Sequence, residues 1–268
     1  MKVAFAIPRK DVCIEIYSRL KNDYKSIKIV LVCGGNTSDL EGQIVVLTTH
    51  QLYRYKHYFD LLILDEADAF PYYGDKMLNV FLHESVIGPI IYLSATIKDS
   101  FKKKCNNIVY VNRRFHNYDL PVPIYKRYLP INKYKILEEI IKKLSPKKTL
   151  IFVPTIEIGK KLASKYKYPF VYSSLDNKQD IINKFKKDEI RIMITTSILE
   201  RGVTFLGVQV IVFEANHELY DTSSLIQIAG RVGRKIKSPT GCVYFLSTSE
   251  SDSMKKCIKE IKKKNDNL

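Results

Sequence analysis

The sequence predicts an α/β protein of two lobes, each a parallel sheet covered by helices. Three features point there. Short runs that are apolar at every position, such as KVAFAI, IKIVLV and LLILD, recur along the chain. Segments of helical period separate them. Strands without polar alternation are buried on both faces, and helices between them make the sheet parallel. The rhythm breaks once, in NRRFHNYDLPVPIYKRYLP at 112–130, where three prolines and no clear period mark a connector.

The elements follow in order. KVAFAI is a strand, and DVCIEIYSRLKND a helix with Val12, Ile16 and Leu20 on one face. IKIVLV is a strand stopped by the CGGN turn, and QIVVLTT a strand followed by a short helical HQLYRYKH. LLILD is a strand, DKMLNVFLHES a helix, IIYLSAT a strand and NIVYVN a further strand. Beyond the connector, 132–144 is helical and TLIFV a strand. TIEIGKKLASKY is a helix, PFVYSS a strand and NKQDIINKFKKD a helix. RIMITT, VQVIVFE and GCVYFLS are strands, and the last 18 residues form a basic helix that frays into KKKNDNL. This places a first lobe at 1–115, a connector at 116–130 and a second lobe at 131–268.

Composition limits the functional class. The 268 residues are 46% hydrophobic, enough for two cores. No apolar run approaches the roughly 20 residues of a membrane span. The apolar run in MKVAFAIPRK is too short for a signal-peptide core, so the cytoplasm is the expected location. Cys13, Cys33, Cys105, Cys242 and Cys257 are scattered without a C-x-x-C pair, which argues against a disulfide framework and a zinc site. The net charge of +16 suits a polyanion, although lysine-rich solvated surfaces give the same total. Its distribution is uneven: residues 1–120 hold 16 basic and 13 acidic residues, whereas 121–268 hold 28 and 15.

Four motifs carry chemistry. Asp65-Glu66-Ala67-Asp68 follows the strand LLIL, where parallel sheets place their ligands. There Asp65 would hold a magnesium ion through water, and Glu66 would orient or deprotonate an attacking water, the pairing that phosphoryl transfer needs. Ser94-Ala95-Thr96 ends the strand IIYL, and its hydroxyls can bond Asp68. QIAGRVGR at 227–234 sets Gly230 and Gly233, which permit close backbone approach, beside Arg231 and Arg234. Two guanidiniums so placed can clamp a γ-phosphate. TTSILERGVTF at 195–205 leaves the strand RIMI in a loop with Thr196, Ser197, Gly202 and Thr204, whose hydroxyls and amides suit phosphate contacts.

The order DEAD, SAT, TLIFVPT, TTSILERGVTF, QIAGRVGR resembles the superfamily 2 helicases, motor ATPases with two RecA-like lobes. Within them, AIPRKDV, TTHQL, ILERGVTF and QIAGRVGR are most similar to the ComFA-type late competence ATPases. The resemblance implies ATP with Mg2+ as cofactors, single-stranded DNA as partner, and a role beside the DNA-uptake machinery. It implies that Arg9, Thr49 and His50 lie near a single strand on the first lobe, and Thr155 and Thr196 on the second. It makes Gln227, Arg231 and Arg234 nucleotide-facing, and Ser94, Thr96, Gly202 and Thr204 coupling residues. Thr204 stands where many DEAD-box RNA helicases carry aspartate, which leans away from RNA unwinding.

The family's phosphate loop, ending in Gly-Lys-Thr or Gly-Lys-Ser, is not in these 268 residues. The sole Gly-Lys pair, Gly159-Lys160, precedes Lys161 inside a helical pattern. The cysteine-rich zinc module of ComFA-like proteins is missing too. The expectation is therefore a motor whose first lobe is incomplete at its N-terminus, lacking a strand and helix and exposing apolar surface on their neighbours. Two alternatives are a non-catalytic nucleic-acid-binding remnant that uses the basic second lobe, and a poorly folded relic.

Overall fold

The computed structural model of the chain describes residues 1–69, 71–72, 74–95, 105–111, 114–197 and 204–266. They form two compact units, Met1–Ile108 and Val109–Leu268.

In the first unit, β1 (Val3–Ile7) leads to α1 (Lys10–Asp23), then β2 (Ile29–Val32) and β3 (Ile44–Thr48). A 3-10 turn (Thr49–Arg54), β4 (Leu61–Leu64), α2 (Lys76–Ser85) and β5 (Ile90–Tyr92) follow. The sheet runs β2-β3-β1-β4-β5 with every neighbour parallel. Both faces are packed. Ala4, Ala6, Leu47, Leu62, Leu64 and Phe59 join one core, while Ile7, Val12, Cys13 and Val46 join the other, under α1. Asp75 starts α2 by accepting the Met77 and Leu78 amides at 2.8 and 3.0 Å, satisfying two donors that a helix start leaves open. The sheet ends at β5, where Ile91 and Leu93 are 45% and 41% exposed.

The second unit holds β6 (Ile124–Arg127), a 3-10 turn (Pro130–Asn132), α3 (Lys133–Leu144), β7 (Thr149–Phe152), α4 (Ile156–Tyr166) and β8 (Phe170–Val171). It continues with α5 (Lys178–Lys186), β9 (Ile192–Thr195), β10 (Gln209–Phe213), α6 (Thr222–Ala229), β11 (Val243–Ser247) and α7 (Asp252–Asp266). The six strands are all parallel, in the order β6-β11-β10-β7-β9-β8. The central strands β10, β7 and β11 are buried at every position. Phe152, Phe245 and Val212 face one core, and Ile151, Tyr244 and Phe213 the other.

Three expectations need correction. NIVYVN forms no strand over its described residues, and Val109, Tyr110 and Val111 are 84%, 62% and 83% exposed. Residues 124–127, expected in the connector, form β6 beside β11. Its sequence IYKR is mostly exposed, as suits an edge strand, so it shows no apolar run. The C-terminal helix does not fray at KKKND. It runs to Asp266, and the Asn265 side-chain amide accepts from Leu120 N and donates to Leu120 O, both at 2.9 Å. A local polar sequence is thus held by one long-range amide pair.

Gly159 lies inside α4, near its start, packed against β8. A Cβ there would sit 2.2 Å from the Phe170 ring. Gly159→Ala would gain about 1 kcal/mol of helix propensity but overpack a core contact at a cost of about 1–3 kcal/mol. The net expectation is a lower urea midpoint for the second unit. A raised midpoint would show that Phe170 moves aside freely.

Candidate functional site

In the first unit the acidic motif forms a tight turn at the C-terminal end of β4. The Asp65 amide donates to Ala6 O at 2.9 Å, and the Ala67 amide to Leu93 O at 3.1 Å. The turn is therefore stitched to the ends of the flanking strands β1 and β5. Asp65 Oδ1 accepts the Glu66 amide at 2.9 Å, and Glu66 has a left-handed φ of 55°. That conformation is uncommon for a side chain with a Cβ and often marks a functional turn. Asp65, Glu66 and Asp68 are half-buried on the sheet's C-terminal edge, while the apolar Ala67 and Ala69 point inward. Ser94 directly follows the carbonyl that receives the Ala67 amide, so the backbone brings it to the acidic turn. Thr96 lies outside the described residues.

Two other sequence-predicted segments also follow strands of this unit. Arg9, half-buried, occupies the N-cap position of α1, just past β1. Thr49 and His50 open the 3-10 turn after β3. They differ in access: Thr49 is 0% exposed, whereas His50 is exposed. Of the pair, His50 alone offers its side chain to solvent.

The second unit repeats the pattern. Thr155 follows β7 and Thr196 follows β9, its neighbour. The Val153 amide donates to Thr195 O at 2.9 Å, holding the two strand exits together. Thr155 Oγ1 accepts the Ile158 amide at 3.2 Å and so caps α4. Gly202 lies outside the described residues, and Thr204 resumes them, half-buried beside the core residue Phe205.

The arginine motif spans the end of α6 and the turn after it. Gln227 lies within the helix, and Arg231 and Arg234 lie in the irregular turn that follows Gly230. Gln227 is 8% exposed and its Nε2 has no hydrogen-bond partner among the described residues. Arg231 is 1% exposed, and Arg234 is half-buried with Nε donating to Gly230 O at 3.0 Å. Close backbone approach is real at Gly233: φ is +71°, and a Cβ would meet Pro239 O at 2.2 Å.

Sequence reasoning missed two residues of this turn. Arg114 Nη1 donates to Val232 O at 2.6 Å and Nη2 to Gly230 O at 2.9 Å, and His116 Nε2 lies 2.9 Å from Gly233 O. Burial, and then the Arg234 charge, lower the Arg114 pKa to about 10. The one available signal was the Arg113-Arg114 pair in a chain sparing with arginine.

Comparison with known proteins identifies the class. Residues 132–235 match the helicase conserved C-terminal domain family. The parallel two-unit fold matches Dbp5 of S. cerevisiae bound to RNA and ADP BeF3, with a TM-score of 0.76, 17% identity, and coverage of 100% of this chain and 76% of that one. It also matches the helicase Lhr of Mycobacterium smegmatis bound to ssDNA and AMP-PNP, with a TM-score of 0.68, 15% identity, and coverage of 99% and 42%. The chain belongs to the superfamily 2 helicases. Within them its likeness is to the competence protein ComFA. Identity to that of Streptococcus pneumoniae is 41%, over 98% of this chain and 66% of the relative. Identity to that of Bacillus subtilis is 33%, over 99% and 62%. The chain thus spans slightly under two thirds of the length of these relatives.

Because Thr155 is a cap, its removal has a stability signature separate from any nucleic-acid contact. Thr155→Ala should lower unfolding free energy by about 1 kcal/mol, and Thr155→Ser should restore most of it. Equal denaturation midpoints for the two variants would show that the hydroxyl bond to Ile158 contributes nothing.

Proposed function

We propose that this chain is the greater part of an ATP-driven, single-stranded DNA translocase of the ComFA type, acting in the cytoplasm beside the DNA-uptake machinery. The observation that carries the reading is the acidic turn, pinned by Ala6 and Leu93 at the C-terminal edge of a parallel sheet, where such sheets receive their ligands. The printed name of its relatives, competence protein, supports the process.

The residues fit ATP. Gln227 carries a buried amide nitrogen without a partner among the described residues, and a buried donor of that kind calls for an acceptor. Gln227, Arg231 and Arg234 face the nucleotide in this reading. A phosphoryl group in transfer spreads negative charge over its oxygens, and guanidiniums stabilise it there. Glu66 orients the attacking water and takes its proton. Among the described residues, no group of three or more His, Cys, Asp or Glu could cage a metal ion. Magnesium typically keeps several waters and needs only one or two carboxylates plus substrate phosphates. A single Asp65 contact through water therefore suits it. When bound, Mg2+ neutralises phosphate charge. Asp68, Ser94, Thr96, Gly202 and Thr204 link the nucleotide state to the strand-binding loops. Arg9, His50, Thr155 and Thr196 hold the DNA backbone, with Thr49 setting the turn that presents His50.

The basic second half should dominate DNA affinity. Binding of an oligothymidylate by the 268-residue chain should weaken steeply between 50 and 200 mM salt, as counterions are released. Equal affinity across that range would sink the DNA assignment.

The 268 residues contain no Gly-Lys followed by Ser or Thr. Backbone amides to cradle the phosphates, a lysine for the β and γ groups and a hydroxyl for magnesium are thus not supplied. By itself the chain should release no more phosphate from ATP with DNA than its Glu66→Gln variant. A chain extended with a strand and phosphate loop should be active, and Arg234→Ala should then cost roughly 10³-fold or more in turnover. Near-parental turnover in that variant would refute the role given to the arginines.

A further inference from the structure

We propose that Arg114 and His116 are positioning residues that clamp the turn carrying Arg231 and Arg234 by its backbone carbonyls. The significance of the clamp rests on the reading of those arginines as nucleotide-facing; its existence does not.

The turn has a structural problem. Helix α6 ends at Ala229, and the chain then passes through Gly230, Arg231, Val232 and Gly233 before reaching Arg234. Past a helix end, carbonyls point onward without intrahelical partners. Here Val232 and Gly233 are buried, which removes water as an alternative, and a buried backbone carbonyl left unmade costs free energy. Two side chains of one segment, Arg114 and His116, meet the need. The planar Arg114 guanidinium forks across two carbonyls, reaching Val232 O at 2.6 Å and Gly230 O at 2.9 Å. His116 takes the next, Gly233 O, at 2.9 Å. Its Nδ1 accepts the Tyr118 amide at 3.2 Å, so the ring proton sits on Nε2 and donates to Gly233.

The packing is close enough to dictate sequence. A Cβ on Gly233 would lie 2.8 Å from Arg114 Nη1, so a side chain there would push the fork away. Arg114 and Arg234 also share one acceptor, since Arg234 Nε donates to the same Gly230 O. Two guanidiniums on one carbonyl repel each other. The pair persists because its partners are carbonyls at a helix C-terminus, whose partial negative charge favours cations. Fixing Gly230, Val232 and Gly233 leaves the backbone on either side of Arg231 and before Arg234 with little freedom. Both arginines then hold their orientation without spending ligand-binding energy to order them, the benefit of a preorganised site.

The test uses the 268-residue chain without nucleotide. Arg114→Lys keeps the charge but can serve only one carbonyl. His116→Gln keeps an N–H for Gly233, whereas His116→Phe does not. Hydrogen exchange is followed at the Arg231 and Val232 amides, with those of β11 as internal reference, together with the Arg234 Nε–H resonance. In Arg114→Lys and His116→Phe, exchange at the turn should rise at least tenfold while β11 is unchanged, and the Arg234 Nε–H signal should broaden or vanish in Arg114→Lys. His116→Gln should behave as the parent. Unchanged exchange and an unchanged Arg234 signal would overturn the clamp. So would a rise spread evenly over the whole unit, which marks general destabilisation. The turnover of Arg234→Ala in the extended chain separately decides what the arginines face.

Discussion

In both units each strand pairs parallel to its neighbours, and that hydrogen-bonding pattern constrains everything else. A parallel strand cannot return through a tight hairpin, so a crossover must carry the chain back across a face of the sheet. The faces are then covered, the strands become apolar at every position, and all strands deliver the chain to the same edge. Asp65, Ser94 and His50 in the first unit follow strand exits at that edge, as do Thr155 and Thr196 in the second. The polar residues need not be sought over the whole surface. They lie where buried strands end and backbone groups first become available.

At those exits the backbone, more than the side chains, sets geometry. The acidic turn is held by two amides donating into neighbouring strand ends, so its carboxylates need not hold themselves in place. The arginine turn is held the opposite way, by side chains donating to its carbonyls. Each arrangement leaves the charged groups on a fixed frame while satisfying buried peptide groups. In the second case burial of the Arg114 guanidinium, and then the neighbouring Arg234 charge, lower the Arg114 pKa.

Both sheets end in short edge strands. In the second, the central strands β10, β7 and β11 are enclosed and the edges β6 and β8 are short. In the first, the edge strand β5 is short and leaves Ile91 and Leu93 exposed. Short edge strands limit unwanted pairing, but apolar side chains on an open edge favour association with other chains.

Apolar runs such as LLIL and VQVIVF determined which segments are central strands, because a strand enclosed on both faces favours apolar side chains and admits a polar one, such as Gln209, only when it is hydrogen-bonded, here to Gly207 O and Cys242 N. The acidic and arginine motifs were legible for a related reason: rare residue combinations stood directly after such runs. The sequence also disclosed the family, through the order and spacing of those motifs. Other features depended on distance in space. The exposed IYKR became β6 because β11 offers a free edge, whereas the described residues of the more apolar NIVYVN form no strand. Thr49 proved buried and His50 exposed, a difference that adjacent residues in a turn do not advertise. Asn265 and Leu120 pair across 145 positions, and Arg114 meets Val232 across 118. Long-range bonds of this kind are specified by where two backbones come to lie, so only the folded chain could decide them.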